Sequence, residues 1–219
     1  MIGTADAGQF RGSRKWIALA VNNHPSLLAR TLGESDQINW CSPLATEGFV
    51  EFRDSSALEK LGLGHLSESL MSYWPARGPV WDALGRTPSG TIYLVEAKAH
   101  IAEMLTPGTK ASDEPRRVID KAFADVQRSL GARPRANWCD CFYQQANRLA
   151  FLHFMVRNGI DARLAHISFV GDATMDGPQS AEAFRAVDAC VDYVLGLPAR
   201  HYLKTRIIHA TLDIAALST

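Results

Sequence analysis

The sequence predicts a layered α/β domain in which helices lie on both sides of a mixed β-sheet. Two observations lead to this prediction. Residues 79–99 have the pattern of a β-hairpin, and helical and strand patterns alternate after it. The chain has 219 residues, which is enough for one sizeable core, so we expect a single domain over residues 1–219.

Residues 1–40 are predicted to form a helical extension of this domain. The stretch "SRKWIALAVNNHPSLLARTLG" begins with Ser13 as a cap candidate and contains two short helical patterns, which are broken at His24-Pro25. From Ser42 to Leu70 the pattern is mainly helical with glycine interruptions, although "FVEF" also fits a short strand.

The hairpin is the clearest strand prediction in the chain. Its two arms, "PVWDALG" and "TIYLVEAKA", are short and rich in β-branched and aromatic residues, and "RTPSG" between them has the composition of a turn.

After the hairpin, a polar loop at 105–115 ends in the cap candidates Ser112 and Asp113. The remaining patterns predict a helix to Gly131, a largely buried helix at 138–159, a strand at 162–172, a helix that begins after Ser180 and ends at Gly196, and a last strand at 205–214.

Charge and cysteine content limit the classes of function. The chain has 23 basic and 23 acidic residues, so its net charge would not attract it to nucleic acid or to an anionic membrane, and any such contact must be local. Cysteine pairs with Cys-x2-Cys spacing are missing, and the N-terminus lacks the apolar core of a signal peptide. We therefore expect free thiols and a soluble, cytoplasmic protein without a membrane partner.

The predicted hairpin carries charges that its apolar surroundings do not explain. Side chains alternate along a strand, so Glu96 and Lys98 point to the same face, and Asp82 on the preceding arm can reach the same end of the hairpin. Burying such charges is costly unless each has a partner. A divalent cation would relieve the repulsion between the two carboxylates, and Mg²⁺ favours one or two carboxylates with waters and phosphate oxygens.

Asp82, a spacer of 13 residues, and Glu96-Ala97-Lys98 on a strand with a helix after it resemble the active-site motif of the PD-(D/E)XK superfamily of restriction-endonuclease-like nucleases. The resemblance implies a three-layer restriction-endonuclease-like core and an Mg²⁺ or Mn²⁺ ion bound by Asp82, Glu96 and the carbonyl of Ala97. Lys98 would position the attacking water, and Glu47 on the preceding segment would be an accessory acid. Trp81 stands where the motif often has proline.

The resemblance also implies a substrate and partners. In the superfamily, the helix after the Glu-x-Lys strand packs beside the active site, so Gln144, Asn147 and Arg148, which share one helical face, could bind a substrate phosphate. Alternatively, these three side chains could form hydrogen bonds with a neighbouring segment of the protein. The resemblance implies a nucleic-acid partner, and DNA in particular. It also implies a possible homodimer, because many enzymes of this fold act as dimers.

Two other functions also fit the sequence. The Asp/Glu/Lys trio also fits a structural ion network in a non-catalytic binding or assembly module, and the balanced charge favours this alternative. An unrelated α/β enzyme acting on a small phosphorylated substrate is a third hypothesis, but the sequence has no glycine-rich phosphate loop to support it.

The sequence has few clusters of basic residues that could contact the phosphates of a nucleic acid. Clusters of basic residues occur at 11–15, 116–117, 133–135 and 200–206, and each by itself is typical of a solvated surface. If several of them lie around the hairpin, a protein of zero net charge can still bind phosphates. The loop at 105–115 follows the predicted site directly and is a candidate substrate gate.

Overall fold

The computed structural model describes residues 7–218. Its centre is a five-stranded mixed sheet with the order β1-β2-β3-β4-β5, in which β1, β2 and β3 are antiparallel and β3, β4 and β5 are parallel. The strands are β1 (Asn39–Ser42), β2 (Ala83–Arg86), β3 (Ile92–Lys98), β4 (Ala162–Val170) and β5 (Ile207–Asp213). The predicted α/β class with a mixed sheet and flanking helices is confirmed.

Seven α-helices lie within residues 7–218. They are α1 (Gly12–Asn23), α2 (Pro25–Thr31), α3 (Asp54–Lys60), α4 (Ser67–Tyr73), α5 (Asp113–Leu130), α6 (Tyr143–Arg157) and α7 (Ala181–Leu195). Helices α5 and α7 end at Gly131 and Gly196, both in the left-handed conformation that glycine adopts at low cost. The break between α1 and α2 falls at His24-Pro25, as predicted.

The two faces of the sheet are covered by different helices. Along β3, Tyr93 and Val95 pack in one core with Ile17 and other apolar residues of α1 and α2. Ile92 and Leu94 point to the other face and pack with residues of α3 to α7. Residues 12–31, which belong to the predicted N-terminal extension, therefore form one of the layers that cover the sheet.

The predicted hairpin is present, with Ala83 opposite Val95 and Arg86 opposite Ile92. The chain leaves β3, passes through α5 and α6, and returns as β4, which lies parallel to β3 with His166 beside Glu96. This crossover places the N-terminal part of α6 over the end of β3, where the charged residues lie.

The predicted strands are each a few residues longer than the observed ones, and two larger differences concern β1 and the start of α6. Strand β1 was not predicted, because its four residues have no clear apolar alternation. The buried helix predicted over 138–159 begins at Tyr143, since Phe142 has a left-handed φ of 51° and the turn before it is closed by hydrogen bonds to Asn137. Trp138 is instead buried beside α7 and donates to the carbonyl of Leu195 at 3.1 Å.

Within residues 7–218, no helix is both long enough and apolar enough to cross a membrane. The four cysteines, all in this range, are free thiols, as predicted: Cys41, Cys139, Cys141 and Cys190.

Candidate functional site

A cleft of about 500 Å³ opens at the end of β3. Four stretches of chain line it: residues 77–80, the hairpin residues Asp82 and 96–98, the loop 106–110, and the first turns of α6. Ser13 of α1 and Glu51 complete the lining. The structure thus brings together in one cleft nearly all of the residues that the sequence singled out.

Asp82 lies next to Glu96 at the mouth of the hairpin. The N–H of Asp82 donates to the carbonyl of Val95 at 3.1 Å, and the N–H of Ala97 donates to Asp82 Oδ2 at 2.6 Å. Burial, together with the negative charge of Glu96, raises the pKa of Asp82 to about 8, although Lys98 acts in the opposite direction. Asp82 is therefore a carboxyl group whose ionised form would gain from an additional nearby cation.

Glu96 is held by two cations. Its Oε1 atom pairs with Lys98 Nζ, and its Oε2 atom lies 2.6 Å from Nε and 2.5 Å from Nη2 of Arg148. Burial opposes ionisation of Glu96, but the charges of Arg148 and Lys98 outweigh that effect and lower its pKa below the ordinary value. Glu96 is thus ionised at neutral pH and has a counter-charge on each oxygen.

Arg148 connects α6 to both arms of the hairpin. Besides Glu96, its guanidinium donates to the carbonyl of Val80 at 2.7 Å and to Asn147 Oδ1 at 3.0 Å, and it lies 4.7 Å from the centre of the Trp81 ring. Asn147 and Gln144 also line the cleft. The predicted polar stripe of α6 therefore faces the site, while Arg148 itself is committed to partners within the protein.

Glu47, the predicted accessory acid, lies away from this cluster and pairs with Lys60 at 2.6 Å. Glu51 lines the cleft instead and pairs with Arg14 Nε at 3.2 Å. Burial, with a further contribution from the charge of Glu96, raises the pKa of Glu51. Glu47 ends a short 3-10 turn, and the chain then passes through the left-handed residues Gly48 and Phe49 before the short extended segment 50–53, which carries Glu51 to the cleft.

The extended segment is tied to the hairpin by a β-bridge. Phe52 pairs with Trp81, whose N–H donates to the Phe52 carbonyl at 3.0 Å, and Glu51 therefore lies beside the hairpin strand that carries Asp82. The alternative interpretation of "FVEF" as a short strand was the feature of the sequence that could have identified Glu51.

A row of polar side chains continues across the sheet from Glu96. In register with it are His166 on β4 and His209 on β5, whose rings stack with centres 5.2 Å apart. His209 Nδ1 lies 2.8 Å from Asp188 of α7. A cavity of about 20 Å³ between Lys98 and His166 has room for one water molecule.

Two further cations at the cleft were not identified from the sequence. Arg77 and Lys110 both line it, both are exposed, and neither belongs to the basic clusters considered above. Each is an isolated cation in the sequence, so only the folded arrangement brings them to the site.

The donor atoms at the cleft suit a hard cation. In the described part of the chain, no group of three or more His, Cys, Asp and Glu side chains is arranged to hold a metal ion by itself. Asp82 and Glu96 nevertheless provide two adjacent carboxylates, and Mg²⁺ commonly takes one or two carboxylates and keeps its waters. Burial and the charge of Glu96 raise the pKa of Asp82, so without a nearby cation its carboxyl group keeps its proton at neutral pH, and a bound cation would have to displace that proton.

Comparison of the chain with protein-family models, with curated proteins and with solved structures found no match. The fold and the site define an α/β protein with a charged cleft at the carboxyl end of its central strand.

Proposed function

We propose that the protein is a metal-dependent nuclease of the PD-(D/E)XK kind that hydrolyses DNA phosphodiester bonds with Mg²⁺ or Mn²⁺. The observation that carries this proposal is the position of Asp82 beside Glu96, with Lys98 paired to the Glu96 carboxylate, at a cleft of about 500 Å³. The antiparallel β2-β3 hairpin, followed by helices and the parallel strand β4, is consistent with a restriction-endonuclease-like core.

Two carboxylates and one carbonyl group would hold the metal, with a third acidic residue nearby. Asp82, Glu96 and the carbonyl of Ala97 are the ligands that the motif implies, and Glu51 replaces Glu47 as the nearby accessory acid. A bound divalent ion lowers the pKa of a coordinated water and offsets negative charge in the transition state. Asp82 contributes a carboxylate that ionises more readily when such a positive charge is near it.

We assign to Lys98 the role of positioning the attacking water. Its side chain is 14% exposed and lines the cleft, while its ammonium group is oriented by Glu96. From this position it can donate a hydrogen bond to a water or to a developing oxyanion. Arg148 is a positioning residue, because its contacts with Glu96 and Val80 fix the carboxylate relative to the segment before Asp82.

A non-catalytic binding or assembly module is the second candidate function. The observation that favours it is that both oxygens of Glu96 already have cationic partners, so the cluster is also a complete ion network without a metal. Under this alternative, Asp82 remains protonated at neutral pH and accepts only the hydrogen bond from Ala97 among the described residues.

Calorimetric titration of the purified protein with Mn²⁺ distinguishes the two candidates. We expect saturable binding by the wild type, at least tenfold weaker binding by Asp82→Asn and Glu96→Gln, and unchanged binding by Arg30→Ala, which alters an exposed residue of α2. Binding is then followed by assays of hydrolysis on single-stranded, duplex and branched DNA. Absence of both Mn²⁺ binding and Mn²⁺-dependent hydrolysis would favour the module. Sedimentation of the same sample tests the homodimer.

A further inference from the structure

Arg77 is held in an unusual backbone conformation at the edge of the cleft. Its φ is 67°, in the left-handed region that residues with a side chain seldom occupy. Its N–H donates to Asp54 Oδ2 at 3.0 Å, and the next N–H, of Gly78, donates to Asp54 Oδ1 at 2.9 Å. A single carboxylate therefore fixes the turn that presents the Arg77 side chain.

The turn has little freedom to relax. A Cβ atom on Gly78 would lie 2.6 Å from Asp54 Oδ1 and 3.1 Å from the ring of Phe151 in α6. Strained backbone that is fixed in this way is found preferentially at functional sites. The strain at Arg77 has no packing benefit for its own side chain, which is exposed.

Lys110 lies on a second ordered segment of the cleft. Pro107 forms a β-bridge with Cys141, and the N–H of Thr109 donates to the carbonyl of Cys139 at 2.7 Å. The backbones approach so closely that a Cβ atom on Gly108 would lie 2.7 Å from the same carbonyl oxygen. The loop predicted as a substrate gate is thus attached to the segment before α6 and carries Lys110 at the edge of the cleft.

The four cations that line the cleft fall into two pairs. Lys98 and Arg148 are both neutralised by Glu96. Arg77 and Lys110 form no side-chain ion pair with any residue in the range 7–218, and both are exposed. The second pair is therefore available to an anion that enters from solvent.

We propose that Arg77 and Lys110 bind backbone phosphates that flank the phosphate at the Asp82 and Glu96 cluster, so that the ligand is a nucleic-acid strand and not a mononucleotide. This inference rests on the proposed function for the position of the central phosphate. Arg77 and Lys110 lie on two separate segments of the cleft edge, so a strand with several phosphates can contact both, whereas a nucleoside monophosphate offers a single phosphate group. Because the chain has zero net charge, these residues provide the local positive field that a strand requires.

The test is equilibrium binding of a fluorescein-labelled 20-nucleotide single-stranded DNA to the full chain, in EDTA so that no hydrolysis occurs. Affinity is measured between 50 and 300 mM NaCl for the wild type, Arg77→Asn, Lys110→Ala and the double variant. Asparagine suits the left-handed backbone at 77, so this change removes the charge and keeps the turn. Arg77→Lys, which keeps the charge, and Arg30→Ala, which removes an exposed cation of α2, are the controls.

We expect each single variant to bind several-fold more weakly and to reduce the slope of log K against log salt by about 0.7, with a reduction of about 1.4 in the double variant. Both controls should keep the slope of the wild type. The inference is overturned if the double variant keeps that slope, or if a mononucleotide competes as well as the 20-mer at equal molar concentration. The same titration with an RNA strand tells which nucleic acid binds more tightly.

The result is independent of the test of the proposed function. The double variant could lose salt-dependent binding while the wild type shows no DNA hydrolysis with Mn²⁺. This combination supports the strand-binding role and rejects the nuclease. Hydrolysis with an unchanged slope in the double variant supports the nuclease and rejects the role of Arg77 and Lys110.

Discussion

Arg148 and Glu96 form a buried ion pair between α6 and β3, with two guanidinium nitrogens 2.5 and 2.6 Å from one carboxylate oxygen. Each side chain is only 4% exposed. Removing one member of such a pair leaves a charge without its partner in a region with little water, which costs far more than the loss of a surface pair. The ion pair therefore contributes to the stability of the fold and also fixes the position of Glu96 in the cleft.

Arg148→Ala should lower the free energy of unfolding by about 3 kcal/mol, the lower end of the range for a broken buried pair, because Lys98 still partners Glu96. Urea denaturation measures the change. Arg30→Ala, at an exposed position of α2, should change stability by less than about 0.5 kcal/mol. A loss below about 1 kcal/mol in Arg148→Ala would mean that the pair contributes little to the fold.

Glu51 and Glu47 provide a matched pair of variants, since only Glu51 lines the cleft. Glu51→Gln should weaken Mn²⁺ binding about tenfold, because a carboxylate near the ion is removed. Glu47→Gln should leave Mn²⁺ affinity unchanged, since its carboxylate pairs with Lys60 outside the cleft. Titration calorimetry measures both affinities, and equal effects of the two variants would contradict the placement of Glu51 at the metal.

Lys98→Ala should reduce the rate of DNA hydrolysis by at least about a hundredfold, since it removes a donor to the water or the developing oxyanion. Mn²⁺ affinity should stay close to that of the wild type, because the side chain of Lys98 is not a metal ligand. The rate is measured at saturating substrate, and the affinity by calorimetry. Parallel loss of Mn²⁺ binding would instead assign Lys98 to holding Glu96 in place.

Asp54→Ala should weaken binding of the 20-nucleotide strand. We expect this effect because Asp54 positions Arg77, and not because the Asp54 carboxylate contacts the DNA. The change removes the acceptor of the Arg77 and Gly78 N–H groups and frees the turn. We expect weaker binding in Asp54→Ala, and no further loss of affinity when Arg77→Asn is added to it. Additive losses in the double variant would show that Asp54 does not act by positioning Arg77.

His166 should make the protein less stable in acid. Burial, followed by the charge of His209, lowers its pKa from 6.5 to about 4, while Asp188 and Glu96 act in the opposite direction and Arg148 adds to the lowering. Between these two pKa values the unfolded chain binds the proton and the folded chain does not, so the stability contributed by neutral His166 is lost as pH falls from 6.5 towards 4.

The difference in unfolding free energy between pH 7 and pH 5 should therefore be smaller in His166→Gln than in the wild type. His65→Gln, at an exposed position, is the control and should show the wild-type difference. Urea denaturation at the two pH values measures it. An unchanged difference in His166→Gln would mean that other groups cause the loss of stability in acid.

Much of the fold follows from local patterns in the sequence. The β-branched and aromatic content of its arms and the composition of its turn identified the hairpin, and glycine and proline marked the break between α1 and α2 and the ends of α5 and α7. The short strand β1 was missed because it is defined by pairing with β2 and not by a pattern of its own. The turn before α6 was missed because hydrogen bonds to Asn137 close it and Trp138 packs against the distant helix α7, and neither contact has a local sequence pattern.

The sequence by itself determined the proximity of Asp82, Glu96 and Lys98, because these residues belong to one hairpin and the two-residue period of a strand fixes their faces. Only the tertiary structure decided which distant residues meet them. It brought Arg148 to Glu96, placed Glu51 at the cleft instead of Glu47, and set Arg77 and Lys110 at its edge. Such contacts depend on how separate elements pack, and no local periodicity encodes that packing.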